Sequence, residues 1–204
     1  VQNNNAQTTP SLRSSSGADL KVKPMLGRRS ASAARFEKHM LLGASMDLVK
    51  IGPRNSCKVI IINDKNELLT IKKVDQSDTY YVLPGGGQHH GETFIETIKR
   101  ECREEIGIEP IVEEEILFIR EYIGKNHEFP SNHKHVHQIE YMFTGKINKE
   151  IVGVGTEEDE GQIGIEWIRI EELEKKNFYP KKLVSELKKY VKGSNDRVYL
   201  GDIN

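Results

Sequence analysis

This sequence predicts an α/β fold. Three observations carry that expectation: β-branched runs bounded by turn residues, an amphipathic helix directly after a glycine triplet, and a second amphipathic helix near the end. The run Lys58-Val59-Ile60-Ile61-Ile62 is ended by the turn formers Asn63-Asp64-Lys65-Asn66, and residues 67–74 read as a second strand, so the two are expected to form a hairpin. Tyr80-Tyr81-Val82-Leu83 is a short extended piece that Pro84-Gly85-Gly86-Gly87 stops, with the glycines expected as a loop. Residues 92–105 then carry helical periodicity until Gly107 supplies a C-terminal stop. Residues 111–122, 136–147 and 164–170 are further strand candidates. Leu183, Leu187 and Tyr190 or Val191 mark one face of a closing helix begun at Pro180.

A length of 204 residues suits one domain with an appended segment, and 36% hydrophobic against 30% charged residues is polar without being disordered. No apolar run approaches the length of a membrane span, and the first residues lack the pattern of a signal peptide, so a cytoplasmic protein is expected. Cys57 and Cys102 allow at most one bridge and are expected as buried thiols. Residues 1–45 carry seven Lys or Arg against two acids, which is +5 and leaves −6 for the remainder of a chain of net charge −1. The acidic balance after residue 45 gives no basic footprint for nucleic acid and suits a carboxylate-rich metal site. Residues 1–45 read as a disordered tail. Residues 33–40 resemble the ribonuclease S-peptide affinity tag with one residue missing and several exchanged, so the tail is expected to be vector-derived, with a natural extension as the alternative. Met46 is then the start of a domain over residues 46–204.

The chemistry sits on the helix. Glu101, Glu104 and Glu105 are spaced i, i+3, i+4, so their carboxylates project from one side within about one turn. Phe94, Ile98, Cys102 and Ile106 form a second stripe at spacing four, which gives the helix a side to bury. Clustered like charges destabilise a helix unless something neutralises them, and a hard divalent cation with oxygen ligands does so; Mg²⁺, or Mn²⁺ in its place, is the expected ion. The three glycines let main-chain groups approach a metal or phosphate closely. Arg100 lies about two turns beyond Glu92 on the same side, so the two can pair and brace loop against helix.

Written as a string, this is Gly86, five residues, Glu92, seven residues, Arg100-Glu101-Cys102, one residue, Glu104-Glu105, one residue, Gly107-Ile108. It resembles the complete Nudix box, with Cys102 and Ile108 at the aliphatic positions, and the resemblance extends over roughly residues 59–190. The family likeness implies an α/β/α sandwich with a mixed sheet between helices. It also implies metal-assisted attack of water on a diphosphate linkage in a nucleoside diphosphate derivative. Carried over by position, Glu101, Glu104 and Glu105 become metal ligands, Gly86 a ligand through its carbonyl, and Glu92, Arg100 and Gly107 parts of the frame, with two or three Mg²⁺ ions bridging the diphosphate. The general base is a box glutamate or a loop carboxylate, and the run Glu157-Glu158-Asp159-Glu160 offers the loop candidates, Glu158 and Glu160 among them.

Outside the box, Tyr81, Tyr122, Phe129 and Phe143 are candidates for stacking on a base, and Glu140 for ribose hydroxyls or as a further ligand, against core packing and a cross-strand salt bridge as the structural alternatives. His127, His133, His135 and His137 invite a zinc site without the spaced pairs that such sites have. His89 and His90 lie at unrestricted box positions, and Trp167 is expected in the core. The run from Arg120 to Gly124, His137 to Glu140, Trp167 and the closing Tyr199-Leu200-Gly201-Asp202 resemble small bacterial ADP-ribose pyrophosphatase-like members. That favours ADP-ribose or a similar nucleotide sugar, giving AMP and a sugar phosphate. The alternatives are a triphosphate pyrophosphatase that cleans oxidised nucleotides and a non-catalytic nucleotide-binding module; an RNA-decapping enzyme lacks a basic track. A homodimer is a family expectation.

Overall fold

The computed structural model describes residues 52–75, 78–127, 134–148, 155 and 161–204. The tail over residues 1–45, Phe129, His133 and the run from Glu157 to Glu160 lie outside the described residues. The chain runs β1 (Arg54–Ile61), β2 (Glu67–Asp75), β3 (Asp78–Val82), β4 (Gly85–Gly87), α1 (Phe94–Ile106), β5 (Ile111–Ile123), β6 (His137–Lys146), β7 (Gln162–Arg169), α2 (Leu183–Tyr190) and β8 (Tyr199–Asp202). Strands β4-β1-β6-β5-β8 form a mixed sheet, in which β1 is parallel to β6 and antiparallel to β4, and β3-β2-β7 form an antiparallel sheet.

Two expectations are corrected. The hairpin turn forms, with Asn63 N–H donating to the Glu67 carbonyl over 3.0 Å, but the strands meet only at the bridge Ile62 to Leu68 and then enter different sheets. Val59 and Ile61 serve one core and Ile60 the other, so β1 is buried on both faces, and its two edges are taken by β4 and β6. The glycine triplet is a strand and not a loop, paired to β1 through Ser56 with Gly87, Cys57 with Gly86 and Lys58 with Gly85. The closing residues Tyr199–Asp202 are also a strand, parallel to β5.

Helix α1 begins after Thr93, which caps it reciprocally with Glu96, and ends at Gly107 in the left-handed region at φ 69°. Ile98, Cys102 and Ile106 are fully buried with Val59, Ile61, Leu69 and Phe143, and Phe94 stacks on Tyr141 at 4.3 Å. Each such aliphatic side chain contributes about 1.5–3 kcal/mol by leaving water. The other core, which holds Ile60, Phe118, Met142, Leu183 and Leu187, carries α2, so the two helices serve opposite faces of β1. Trp167 is half-buried against the α1 core. Both cysteines are buried; desolvation pushes the Cys57 thiol up to about 12 and raises Cys102 as well, so neither is a nucleophile at neutral pH. Among the described residues no helix is long and apolar enough to cross a membrane.

Candidate metal and diphosphate site

Arg100 is the hub of the box. Its Nε donates to Glu92 Oε1 over 2.7 Å and its Nη2 to Glu92 Oε2 over 3.0 Å, the fork geometry that suits a carboxylate. Its Nη1 reaches Glu101 at 2.8 Å and Glu104 at 3.0 Å, and its Nη2 also meets the Gly87 carbonyl at 3.0 Å. One guanidinium therefore ties the turn, the helix and the glycine strand together. Arg100 holds the Glu92 carboxyl down at about 2, with the His89 N–H and the Thr97 hydroxyl assisting against desolvation.

The carboxylate face of α1 is less exposed than its sequence suggests. Glu105 is 2% exposed and Glu101 9%, because β4 lies against them, and Glu104 is the most open of the three. Gly85 N–H donates to Glu105 Oε2 over 2.7 Å, while the Lys58 ammonium donates to the Gly85 carbonyl. Gly85 itself has φ 115°, and a Cβ there would collide with the Cys57 carbonyl. A Cβ on Gly86 would sit 2.6 Å from the Glu101 carboxyl carbon, so the missing side chain is what lets the carboxylate approach the strand. Gln162 Nε2 donates to the Glu105 carbonyl over 2.8 Å at the C-terminal end of α1. Gly155, shortly before the acidic run, packs so closely that a Cβ would strike the Glu104 carbonyl.

Among the described residues no three His, Cys, Asp or Glu side chains converge as a ready-made cage. The donors nevertheless suit Mg²⁺. They are hard carboxylate oxygens beside bare backbone, and Mg²⁺ typically takes one or two carboxylates and completes its shell with water and substrate phosphate.

The residues proposed from sequence outside the box have internal partners. Tyr81 is buried, donates to Glu166 Oε2 over 2.9 Å and lies under Lys176. Tyr122 is buried with its ring stacked on His127 at 5.1 Å. Glu140 is buried, taking Arg120 Nε at 2.5 Å and Gln138 Nε2 at 2.8 Å, so the cross-strand ion pair is the role the structure gives it. Burial raises its carboxyl, but the charge and hydrogen bond of Arg120, with help from Lys58 and Gln138, leave it below the usual range. Phe143 is core. His127 faces Asp202 at 2.6 Å and His137 faces Glu121 at 3.6 Å, while His135 is exposed, so the described histidines do not gather as zinc ligands. His89 and His90 are exposed.

Sequence reading missed Lys58, which acts through the register of β1 on β4, and Gln162, which reaches the end of α1 from β7; neither carries a local signal. It also missed the Thr93 cap, for which the spacing Thr93 to Glu96 is a readable signature.

A carboxylate face on a capped helix, braced by a guanidinium against a glycine strand in a mixed sheet, sets hard oxygen donors beside bare backbone in an α/β fold. The NUDIX domain family model matches residues 52–188, and the chain belongs to that family. A curated relative, an RNA pyrophosphohydrolase of Orientia tsutsugamushi (strain Boryong), is 41% identical over 49 residues, 24% of this chain; the chain spans 30% of that relative's length. Among solved structures, a NUDIX hydrolase from Nitrosomonas europaea matches with a TM-score of 0.55 at 20% identity over 73% of this chain and 94% of that one. An ADP-ribose pyrophosphatase from Streptococcus suis matches with a TM-score of 0.50 at 14% identity over 74% and 98%. At these identities the two structures share the fold.

Proposed function

We propose that the protein is a Mg²⁺-dependent pyrophosphohydrolase that splits a diphosphate linkage in a nucleoside diphosphate derivative such as ADP-ribose or a related nucleotide sugar. The observation that carries this reading is the complete carboxylate set Glu101, Glu104 and Glu105 held beside Gly86 by Arg100, since a binding module would have no use for all of it. Glu101, Glu104, Glu105 and the Gly86 carbonyl would hold the ions, which when bound offset diphosphate charge and make water a better nucleophile. Arg100 and Glu92 keep the carboxylates aligned. A carboxylate from the run that holds Glu158 and Glu160 takes the water proton as oxygen attacks phosphorus and the bridging P–O bond breaks; the packing of Gly155 on Glu104 supports that assignment. The small-molecule nucleotide is the partner, and Mn²⁺ substitutes for Mg²⁺.

The test is AMP release from ADP-ribose and related diphosphates with Mg²⁺, Mn²⁺ or chelator. Metal-dependent AMP formation is expected, and silence across diphosphates and triphosphates would overturn the reading. Pyrophosphate release from a 5′-triphosphate is the second reading, favoured by the 41% identical stretch shared with an RNA pyrophosphohydrolase.

A further inference from the structure

We infer that Arg54 is a substrate-binding residue, holding a phosphate of the substrate across the glycine strand from the metal carboxylates. This rests on the proposed diphosphate chemistry and adds to it a residue outside the box.

The glycine strand β4 is an edge strand, and its residues face alternately. Gly86 faces α1, where a Cβ would meet the Glu101 carboxylate. Gly87 faces the other way, where a Cβ would meet Nη2, Cζ and Nε of Arg54, so the guanidinium lies on the bare Cα of Gly87. Cation and carboxylates therefore flank one side-chain-free ridge, one residue apart along the strand. A phosphate chain can cross such a ridge because nothing projects from it.

Arg54 is also placed and available. Asn55 Nδ2 donates to Gln88 Oε1 over 3.0 Å and Gln88 N–H to the Asn55 carbonyl over 3.2 Å, which fixes the start of β1 to the end of β4. Gln88 Nε2 continues to the Glu92 carbonyl at 2.7 Å, so this link reaches the box turn. Arg54 is exposed, and among the described residues no carboxylate or other acceptor engages its guanidinium. The neighbouring cations differ: Arg100 is committed to three glutamates and Arg120 to Glu140. In a region rich in carboxylates, a positioned planar fork of donors without an acid partner suits a phosphate, which it can grip with two parallel hydrogen bonds.

The experiment uses the full chain and two variants, R54A and R54K, with G87A as a third. A methyl at Gly87 displaces only the far end of a flexible side chain, so G87A folds and moves the guanidinium. Binding of inorganic pyrophosphate in the presence of Mg²⁺ is measured by calorimetry, alongside Mg²⁺ binding alone and steady-state kinetics on the substrate that the panel identifies. R54A is expected to weaken pyrophosphate binding by about tenfold to a hundredfold and to raise KM similarly with kcat little changed, as loss of a charged hydrogen bond that serves ground and transition states alike would do. R54K should fall between, Mg²⁺ binding should not move, and G87A in the R54A background should add nothing. Pyrophosphate affinity unchanged in R54A, no binding by the native chain, or equal losses in G87A with and without Arg54 would overturn the inference. Pyrophosphate binding that depends on Arg54 in a protein silent on every substrate would instead overturn the proposed function alone.

Discussion

Two arginine–carboxylate networks lie in the same domain and behave as opposites. Arg100 joins Glu92, Glu101 and Glu104 on a helix side, while Arg120 joins Glu140, with Nη1 on the Ile203 carbonyl at 2.6 Å, inside the mixed sheet. Around Arg100 the carboxylates outnumber the cation, and Glu104 is only half-buried. Around Arg120 the charges match one to one and both partners are buried. The first network has negative charge left over for a metal ion; the second is closed, and its worth is structural. Identical side-chain chemistry thus differs between the two networks in stoichiometry and burial, which fits ligand binding proposed for one and folding for the other.

The largest expected effect breaks the first network without touching the second. Glu104→Gln keeps the side-chain shape and removes one charge of the proposed metal set, so kcat for the identified substrate should fall by on the order of a hundredfold to a thousandfold, with circular dichroism and melting little changed. Full activity in this variant would remove Glu104 from the metal set. Glu140→Gln is the mirror experiment. It leaves the Arg120 guanidinium buried without its counter-charge, for a cost of about 3 kcal/mol in denaturant-measured stability. A stability loss as small as that of Glu104→Gln would show that the two networks are not distinguished as argued.

The pH response sharpens the contrast further. Arg100 holds the Glu92 carboxyl at about 2 in the folded chain against an ordinary 4.5, so its pairing stabilises fully above about pH 4.5 and is lost as pH falls toward 2. Glu92→Gln should cost about 2 kcal/mol at neutral pH, and the gap from the native chain should close as denaturation is repeated at successively lower pH. A gap that stays constant down to pH 2.5 would mean that the ion pair contributes nothing in the folded state.

The same contrast explains what could be read from sequence. The Arg100 network is local: Glu92, Arg100, Glu101, Glu104 and Glu105 fall within one turn and one helix, so spacing alone places them on one side. The Arg120 network joins residues 20 apart across strands and 83 apart to Ile203, and register between distant strands leaves no trace in local periodicity. For that reason Glu140 reads from sequence equally well as a ribose contact or a salt bridge, and Tyr122 as a stacking platform, whereas its ring is stacked on His127. The glycine triplet reads as a loop for a related reason. Glycine signals turns when nothing else is known, and only the pairing with Ser56, Cys57 and Lys58 makes it a strand. Lys58 and Arg54 became visible as neighbours of the site through that same pairing of β1 with β4, and Gln162 through its reach from β7 to the end of α1.

The smallest expected effect separates two glycines of the box that the motif treats alike. Gly107 caps α1 at φ 69°, so Gly107→Ala should cost about 1 kcal/mol through backbone strain and leave kcat unchanged, since its role is to end the helix. Gly86 has no positive φ, and its neighbour is a carboxylate of the proposed metal set: a Cβ there pushes against Glu101. Gly86→Ala should therefore lower kcat with a small change in melting temperature, the reverse of Gly107→Ala. Measuring both variants by thermal melt and by turnover decides the matter. If Gly86→Ala proved only a stability mutant, the close approach of Glu101 to the strand would be packing and not part of the metal cradle.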